Sequence, residues 1–338
     1  MKNLAIIGGG SWGTALAIVL APRFERVGLW VYESDLAERM GDSRINDMYL
    51  PEFPLPENVE PHNELASTVA GTEIVLGVMP SHLARSLYQQ LAPHLTPDMH
   101  LVSATKGLEQ GTLMRISEVM AAVLERPQVA VISGPTFARE VARGDPTALV
   151  VASTDQELAR IIQTAFSGPT FRLYSSSDPI GVEIGGAVKN VVAIGAGVCH
   201  GLGFGHNATA ALITRGLAEI SRLALAMGGQ PKTLAGLAGL GDLVLTCTGE
   251  LSRNRMVGIE LSKGRKLEEI VNSMKMVAEG IKTTTATADL ARRYAVEMPI
   301  AGQMLAMLHH GRSPREAIRQ LMERSLKEES FFTWPRNL

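Results

Sequence analysis

Short apolar runs alternate with segments of helical spacing through the first half of the chain. The runs show little alternation between apolar and polar positions, which is typical of strands buried on both faces of a parallel sheet. This order predicts βαβ units around a largely parallel sheet. The predicted strands are Leu4–Ile7, Val27–Tyr32, Ile74–Met79, His100–Ala104, Val129–Ser133 and Ala148–Ala152, with Phe171–Tyr174 as a further edge strand.

The pattern changes at Ser175–Pro179, beyond which it is almost entirely helical. Asp178 is expected to cap a helix that has Pro179 in its first turn. We therefore predict an α/β fold with two domains. Residues 1–180 are expected to form a Rossmann-type domain with a doubly wound, mostly parallel sheet, and residues 181–338 an all-α domain.

Three local signals add detail to this division. Residues 46–58 contain three prolines and are expected to form a loop. Asn207 is expected to cap a long helix that ends at Met227. Ser313 and Glu316 form a capping box at the start of another helix.

Composition and charge exclude several kinds of partner. The net charge is −2 and the pI about 6.5, so the chain lacks the basic excess of nucleic-acid binders. No uninterrupted apolar run approaches the ~18 residues of a membrane helix. The apolar core near the N-terminus is too short for a signal peptide. We expect a cytoplasmic protein with no nucleic-acid partner and no membrane insertion.

The two cysteines, Cys199 and Cys247, are far apart and form neither a redox motif nor a zinc-binding spacing. We expect both to be buried free thiols. The eight histidines are scattered without a metal-ligand pattern, so no bound metal is predicted.

Gly8, Gly10 and Gly13 form a G-x-G-x-x-G sequence directly after the first predicted strand and before a helical pattern. Glycines in this context allow a tight turn, close approach of a pyrophosphate, and close packing of the helix on the sheet. The N–H groups at the start of the helix also favour phosphate. The motif predicts a dinucleotide site, and a glycine-rich packing turn is the alternative.

The end of the second predicted strand bears on the choice of coenzyme. Glu33 lies about 20 residues after Gly13, where an acidic side chain binds the ribose hydroxyls of NAD and repels a 2′-phosphate. Arg39 and Arg44 follow nearby in the sequence. Glu33 could equally be a solvated surface charge, so the sequence leaves NAD and NADP open.

Lys189 is the single charged residue in a long apolar helical pattern, which predicts a buried ammonium group with a lowered pKa. Such a lysine can donate a proton to the alkoxide formed when a carbonyl is reduced. Asp242 is the best candidate for its partner. The alternatives are a snorkelling Lys189 or an ion pair with Glu183, and for Asp242 a helix N-cap.

Ser252, Arg253 and Asn254 stand at the start of a predicted helix, with Ser252 as its N-cap. Cations in a first helical turn oppose the helix dipole, so this arrangement makes more sense around a bound anion such as phosphate. A solvated helix cap is the alternative.

Two further segments follow predicted strands at the sheet edge that faces the ligand crevice. Lys106 follows the strand that begins at His100, and Gly134 and Thr136 follow the next strand. Each is a weak signal alone, but together they line one crevice mouth.

These segments together resemble the bacterial NAD(P)-dependent glycerol-3-phosphate dehydrogenases almost from end to end. The segments that carry the resemblance are Gly8–Ala17, Tyr49–Pro51, Thr105–Gly107, Ser133–Ala138, Val188–Ile194, Gly239–Leu243, Ser252–Arg255 and Val277–Gly280. Relatives usually carry a basic residue just after the tryptophan of the second strand. Here Trp30 is followed by Val31, Tyr32 and Glu33, which leaves NADP, NAD or both as the coenzyme.

The resemblance implies that Lys189 is the catalytic lysine and that Lys106 contacts both substrate and coenzyme, with Asp242 at the reacting centre. The full predicted substrate site comprises Lys106, Gly134, Thr136, Lys189, Asn190, Asp242, Thr246, Ser252, Arg253 and Asn254. The full predicted coenzyme site comprises Gly8, Gly10, Ser11, Trp12, Gly13, Tyr32, Glu33, Tyr49, Lys106, Ala138, Arg253, Val277 and Glu279.

The implied reaction is the reversible reduction of dihydroxyacetone phosphate to sn-glycerol 3-phosphate, which supplies phospholipid synthesis. The implied assembly is a homodimer, and the implied partner is a small phosphorylated triose. The alternatives are another two-domain hydroxyacid or 3-hydroxyacyl dehydrogenase, and a non-catalytic NAD(H) sensor.

Overall fold

The computed structural model describes residues 1–274, 278–326 and 328–329. Its strands are β1 (Asn3–Ile7), β2 (Arg26–Trp30), β3 (Ile45–Asn46), β4 (Leu50–Pro54), β5 (Val59–His62), β6 (Ile74–Gly77), β7 (His100–Ser103), β8 (Ala130–Ser133), β9 (Thr147–Ala152) and β10 (Phe171–Ser176). Its first seven helices are α1 (Ser11–Leu20), α2 (Ser34–Ser43), α3 (Leu65–Val69), α4 (Ala84–Leu91), α5 (Ile116–Leu124), α6 (Ala138–Arg143) and α7 (Gln156–Phe166).

The remaining helices follow the last strand. They are α8 (Pro179–Gly201), α9 (His206–Ala226), α10 (Pro231–Leu234), α11 (Asp242–Thr248), α12 (Arg253–Ser262), α13 (Leu267–Ser273), α14 (Glu279–Arg293), α15 (Pro299–His309) and α16 (Pro314–Met322). A π-helical segment, Leu237–Gly241, leads directly into α11.

Eight strands form one sheet in the order β10-β9-β8-β7-β6-β1-β2-β5. The six strands from β8 to β5 are parallel, β9 is antiparallel to β8, and β10 is parallel to β9. Because these six strands are parallel, the loops after β1, β2, β6, β7 and β8 leave the same edge of the sheet, and the strand order reverses beside β1. Ligands of open α/β sheets bind at this edge. The predicted fold class is confirmed.

All seven predicted strands are present, but the sequence did not reveal three others. β5 is a short edge strand in which Val59 is fully buried and Glu60 is exposed, so its apolar signal is weak. Residues 46–58 are not all loop, because β4 pairs antiparallel with β3. The prolines at both ends of β4 are tolerated because this small ladder has free edges.

Helix α8 forms the core of the helical region. By length and composition it could cross a membrane, although Glu183 and Lys189 interrupt its apolar run. Its most apolar window is entirely buried inside the protein. The side chains that pack around it come from α9, α11, α12 and α14. It is therefore a core helix, and it carries the predicted catalytic lysine into the interior.

Glu183 ties the start of α8 to the sheet region. Its carboxylate accepts hydrogen bonds from the Ser117 N–H at 2.8 Å and from the Ser117 hydroxyl at 2.6 Å. Arg115 donates to the same carboxylate at 2.6 Å. Glu183 therefore does not pair with Lys189, and that alternative is wrong. The boundary between two domains near residue 180 remains a prediction.

The helix caps predicted at Asp178 and Ser313 are present, whereas the cap predicted at Asn207 is not. The Asp178 carboxylate accepts the Gly181 N–H, and the Ser313 hydroxyl accepts the Glu316 N–H. Asn207 does not cap α9, because the helix begins one residue earlier and Gly205 occupies the N-cap. Both cysteines are buried and free, as expected.

Candidate active site

The glycine turn after β1 lies against the end of β2. Gly8 has a φ of +129°, and its N–H donates to the carbonyl oxygen of Trp30 at 3.2 Å. A Cβ on Gly13 would lie 1.8 Å from the Gly8 carbonyl oxygen, so only glycine permits α1 to pack this closely. A Cβ on Gly10 would meet no atom of the described residues within 4 Å. The turn is therefore tight on the protein side and open on the other.

Two features of α1 suit this opening to an anionic ligand. Within the described part of the chain, no side chain caps the helix at Gly10, which leaves its first N–H groups for another acceptor. The indole N–H of Trp12 is buried and has no hydrogen-bond partner among the described residues. Ser11, between them, is partly buried. A bound dinucleotide would supply the missing acceptors.

Glu33 and Tyr49 meet at the end of β2. The Tyr49 hydroxyl donates to the Glu33 carboxylate at 2.7 Å. Burial and the neighbouring carboxylate raise the pKa of Tyr49 to about 12, so the hydroxyl keeps its proton. Tyr32, just before Glu33, is 76% exposed.

Asn46 links this corner to the glycine turn. Its buried amide donates to the carbonyl oxygen of Gly9 and to the hydroxyl of Thr14, both at 2.8 Å. Its side-chain oxygen accepts the Tyr49 N–H at 2.9 Å. The β3–β4 hairpin is thereby fixed beside the turn. Sequence reasoning missed Asn46, because it lies in a segment that was expected to be a loop.

Lys106 joins the loops after β7 and β8 to the helical region. Its ammonium group donates to the Gly134 carbonyl oxygen at 2.8 Å, to the Thr136 hydroxyl at 3.0 Å and to the Asp242 carboxylate at 2.8 Å. The structure therefore brings together four predicted substrate residues from three separate segments.

Asp242 also binds Lys189. The two side chains form a buried ion pair, with Asp242 completely inaccessible to solvent. Burial lowers the pKa of Lys189 from 10.5 to about 7, against the opposing attraction of Asp242 and with a smaller contribution from Lys106. Asp242 is the first residue of α11 and is not its N-cap. The Thr246 hydroxyl donates to the Asp242 backbone carbonyl at 2.6 Å.

The predicted anion-site residues surround the start of α12. The Ser252 hydroxyl accepts the Arg255 N–H at 3.3 Å and so caps the helix. Asn254 donates to the side-chain oxygen of Asn190 and accepts the Gly280 N–H, both at 2.9 Å, which joins α8, α12 and α14. Arg253 is solvent-exposed in the first turn of α12.

The remaining predicted coenzyme residues lie in two places. Ala138 is the first residue of α6. The Glu279 carboxylate accepts hydrogen bonds from Ser81, at 3.1 Å from its N–H and 2.7 Å from its hydroxyl. Val277 lies outside the described residues. Sequence reasoning missed Ser81, which follows the end of β6 after Pro80. Its position just after a strand could have identified it as a residue of the ligand crevice.

Comparison with known proteins supplies the family. Residues 3–159 match the model of the NAD-dependent glycerol-3-phosphate dehydrogenase N-terminus, and residues 178–319 match that of its C-terminus. The chain is 56% identical over 329 residues to the glycerol-3-phosphate dehydrogenase [NAD(P)+] of Koribacter versatilis, covering 96% of this chain and 98% of the relative. This chain belongs to the NAD-dependent glycerol-3-phosphate dehydrogenase family.

The other matches agree with this family. The glycerol-3-phosphate dehydrogenase [NAD(P)+] of Syntrophotalea carbinolica is 54% identical over 330 residues, covering 97% of this chain and 99% of the relative. The crystal structure of glycerol-3-phosphate dehydrogenase from Coxiella burnetii superposes with a TM-score of 0.92 at 41% identity, covering 96% and 99% of the two chains. The predicted family and the oxidoreductase class are confirmed. The two alternatives, another two-domain hydroxyacid or 3-hydroxyacyl dehydrogenase and a non-catalytic NAD(H) sensor, are not supported.

Proposed function

We propose that this protein catalyses the reversible reduction of dihydroxyacetone phosphate to sn-glycerol 3-phosphate with NADH or NADPH. The observation that supports this most strongly is the cluster of Lys189, Asp242 and the partly buried Lys106, which follows β7 at the same sheet edge as the glycine turn. We further propose a cytoplasmic homodimer whose product feeds glycerophospholipid synthesis.

The residues of the crevice fit a dinucleotide. The open face at Gly10 and the uncapped start of α1 would receive the pyrophosphate, and the buried indole N–H of Trp12 would find an acceptor there. Glu33 lies where the adenosine ribose would bind. When bound, the reduced nicotinamide supplies a hydride to the carbonyl carbon of the substrate.

Lys189 is suited to deliver the proton that must reach the carbonyl oxygen. A general acid works best when its pKa is close to the working pH, and burial brings Lys189 to about 7. Asp242 fixes the ammonium group from one side, and its single negative charge offsets part of the charge of the two lysines. Lys106, fixed by Gly134 and Thr136, provides the second positive charge facing the substrate.

The start of α12 would bind the substrate phosphate. Arg253 supplies a guanidinium group that can bind two phosphate oxygens, and the helix N-terminus adds its dipole. Asn254 fixes this end of α12 to Asn190, the neighbour of Lys189 on α8. The phosphate end of the substrate would therefore be set at a fixed position relative to the proton donor.

Replacement of Lys189 with alanine tests the proposal. We expect kcat for dihydroxyacetone phosphate reduction to fall by roughly 10²- to 10⁴-fold, the usual contribution of a general acid. The affinity for reduced coenzyme should not change. Lys263→Ala removes an exposed lysine on the surface of the helical region and serves as the control. Near-normal turnover by a folded Lys189→Ala enzyme would refute the assigned mechanism.

A further inference from the structure

The carboxylate of Glu33 is not used by the helix that it precedes. Glu33 occupies the N-cap position of α2, where a side chain commonly accepts a backbone N–H, yet it makes no such bond. Its partner is the hydroxyl of Tyr49 at 2.7 Å. That is the only hydrogen bond of the Glu33 side chain found among the described residues. One carboxylate oxygen is fixed, and the other can accept hydrogen bonds from a ligand.

The surroundings of Glu33 make this position rigid. Tyr49 belongs to the hairpin that Asn46 attaches to Gly9 and Thr14 of the glycine turn. The carboxylate is therefore held at a set distance from the turn that would bind the pyrophosphate. A solvated surface charge would not need this chain of hydrogen bonds.

The nearby arginines are bound by acceptors of the protein itself. The Arg39 guanidinium contacts the Asp35 carboxylate at 2.6 Å and the Asp47 carboxylate at 3.0 and 3.2 Å. Arg44 donates to the backbone carbonyl oxygens of Pro56 and, at 2.8 Å, of Val59. Neither guanidinium is therefore free to bind a ligand phosphate without losing contacts.

The local charge is also unfavourable to a further anion. Residues 33–47 contain five acidic and two basic side chains, a net charge of −3. Exposed ion pairs are individually weak, so Arg39 could be drawn away from its partners. Its release would leave the carboxylates of Asp35 and Asp47 beside a phosphate that carries nearly two negative charges. Unpaired like charges at this distance oppose binding.

We propose that Glu33, fixed by Tyr49, makes this enzyme selective for NAD(H) over NADP(H) by binding the adenosine ribose and repelling a 2′-phosphate. The inference rests on the proposed function, because it assumes a dinucleotide on the glycine turn. It assigns to this chain a preference for NAD(H), with Glu33 as the residue that determines it. Arg39 lies outside the proposed coenzyme site.

Binding measurements on the full-length protein test the proposal without turnover. The Kd values of NADH and NADPH would be measured by nicotinamide fluorescence, and those of AMP and adenosine 2′,5′-bisphosphate by calorimetry. We expect NADH to bind at least tenfold more tightly than NADPH, and AMP more tightly than the bisphosphate. Glu33→Gln should reduce the ratio of the NADPH and NADH Kd values by threefold or more, mainly by tightening NADPH binding.

Two variants on α2 separate this role from general charge effects. Glu38→Gln removes an exposed negative charge from the same helix and should leave the ratio within twofold of the native value. Arg39→Gln should leave NADPH affinity within twofold, whereas loss of a 2′-phosphate ligand would weaken it further.

The proposal is overturned if NADPH binds as tightly as NADH, if Glu33→Gln does not change the ratio, or if Arg39→Gln selectively weakens NADPH. In those cases both coenzymes still bind, and the proposed dehydrogenase function stands. Failure of the native protein to bind either reduced coenzyme would instead refute the proposed function and this inference with it.

Discussion

Lys189 of α8 and Asp242 of α11 form an ion pair that is buried in the protein. The second carboxylate oxygen of Asp242 binds Lys106, which reaches it from the loop after β7. A single negative charge thus serves two ammonium groups. The relative positions of the two lysines depend on this one side chain.

Asp242→Asn should therefore impair proton transfer more than coenzyme binding. Without the carboxylate, repulsion by Lys106 and burial both lower the pKa of Lys189 below its native value of about 7. We expect kcat for reduction at pH 7 to fall by roughly 100-fold or more. The residual activity should show its pH midpoint displaced to lower pH.

Because loss of a buried partner can also destabilise the protein, the melting temperature and the NADH affinity of Asp242→Asn serve as controls. A folded variant that binds NADH normally and reduces the triose at the native rate would contradict the role assigned to Asp242.

The strands and the glycine turn could be predicted because their signals are local. A strand buried on both faces is apolar throughout, and the G-x-G-x-x-G sequence is contained in one turn. The pairing of Lys106 with Asp242 has no local signal, because the two residues are 136 positions apart and meet only when the helical region packs on the sheet.

The weakest predictions concerned the β3–β4 hairpin and its contacts. Its prolines suggested a loop, yet a two-stranded ladder tolerates proline at its edges. The contact between Tyr49 and Glu33 depends on this hairpin, so the sequence alone left the position of the Glu33 carboxylate open.

The two directions of the reaction should respond oppositely to pH. Reduction needs Lys189 protonated, so its kcat should fall as pH rises through about 7. Oxidation of glycerol 3-phosphate needs neutral Lys189 as the base, so its kcat should rise through the same range. Initial rates at saturating substrates between pH 5.5 and 9 provide the test. A midpoint near 10, the ordinary value for lysine, would show that burial does not tune this group.

Arg253→Ala should weaken substrate binding by removing a charge-assisted contact with the phosphate. We expect KM for dihydroxyacetone phosphate to rise roughly 10- to 100-fold, which corresponds to about 1.5 to 3 kcal/mol. The NADH affinity should change little. Arg265→Ala, beyond the other end of α12, is the matched control. An unchanged KM would place the phosphate elsewhere, and a parallel loss of NADH affinity would show that Arg253 also touches the coenzyme.

Glu183→Gln should loosen the attachment of α8 to the sheet region. The buried carboxylate accepts three hydrogen bonds from Ser117 and Arg115, and the amide would leave Arg115 without its buried counter-charge. Breaking such a pair costs about 3 kcal/mol. Glu118→Gln is the matched control, because Glu118 binds the same arginine at 2.9 Å but is exposed. Exposed ion pairs contribute at most about 1 kcal/mol to stability, so this variant should lose little. Thermal unfolding of both variants measures the two losses of stability. Equal losses would show that Glu183 does not anchor α8.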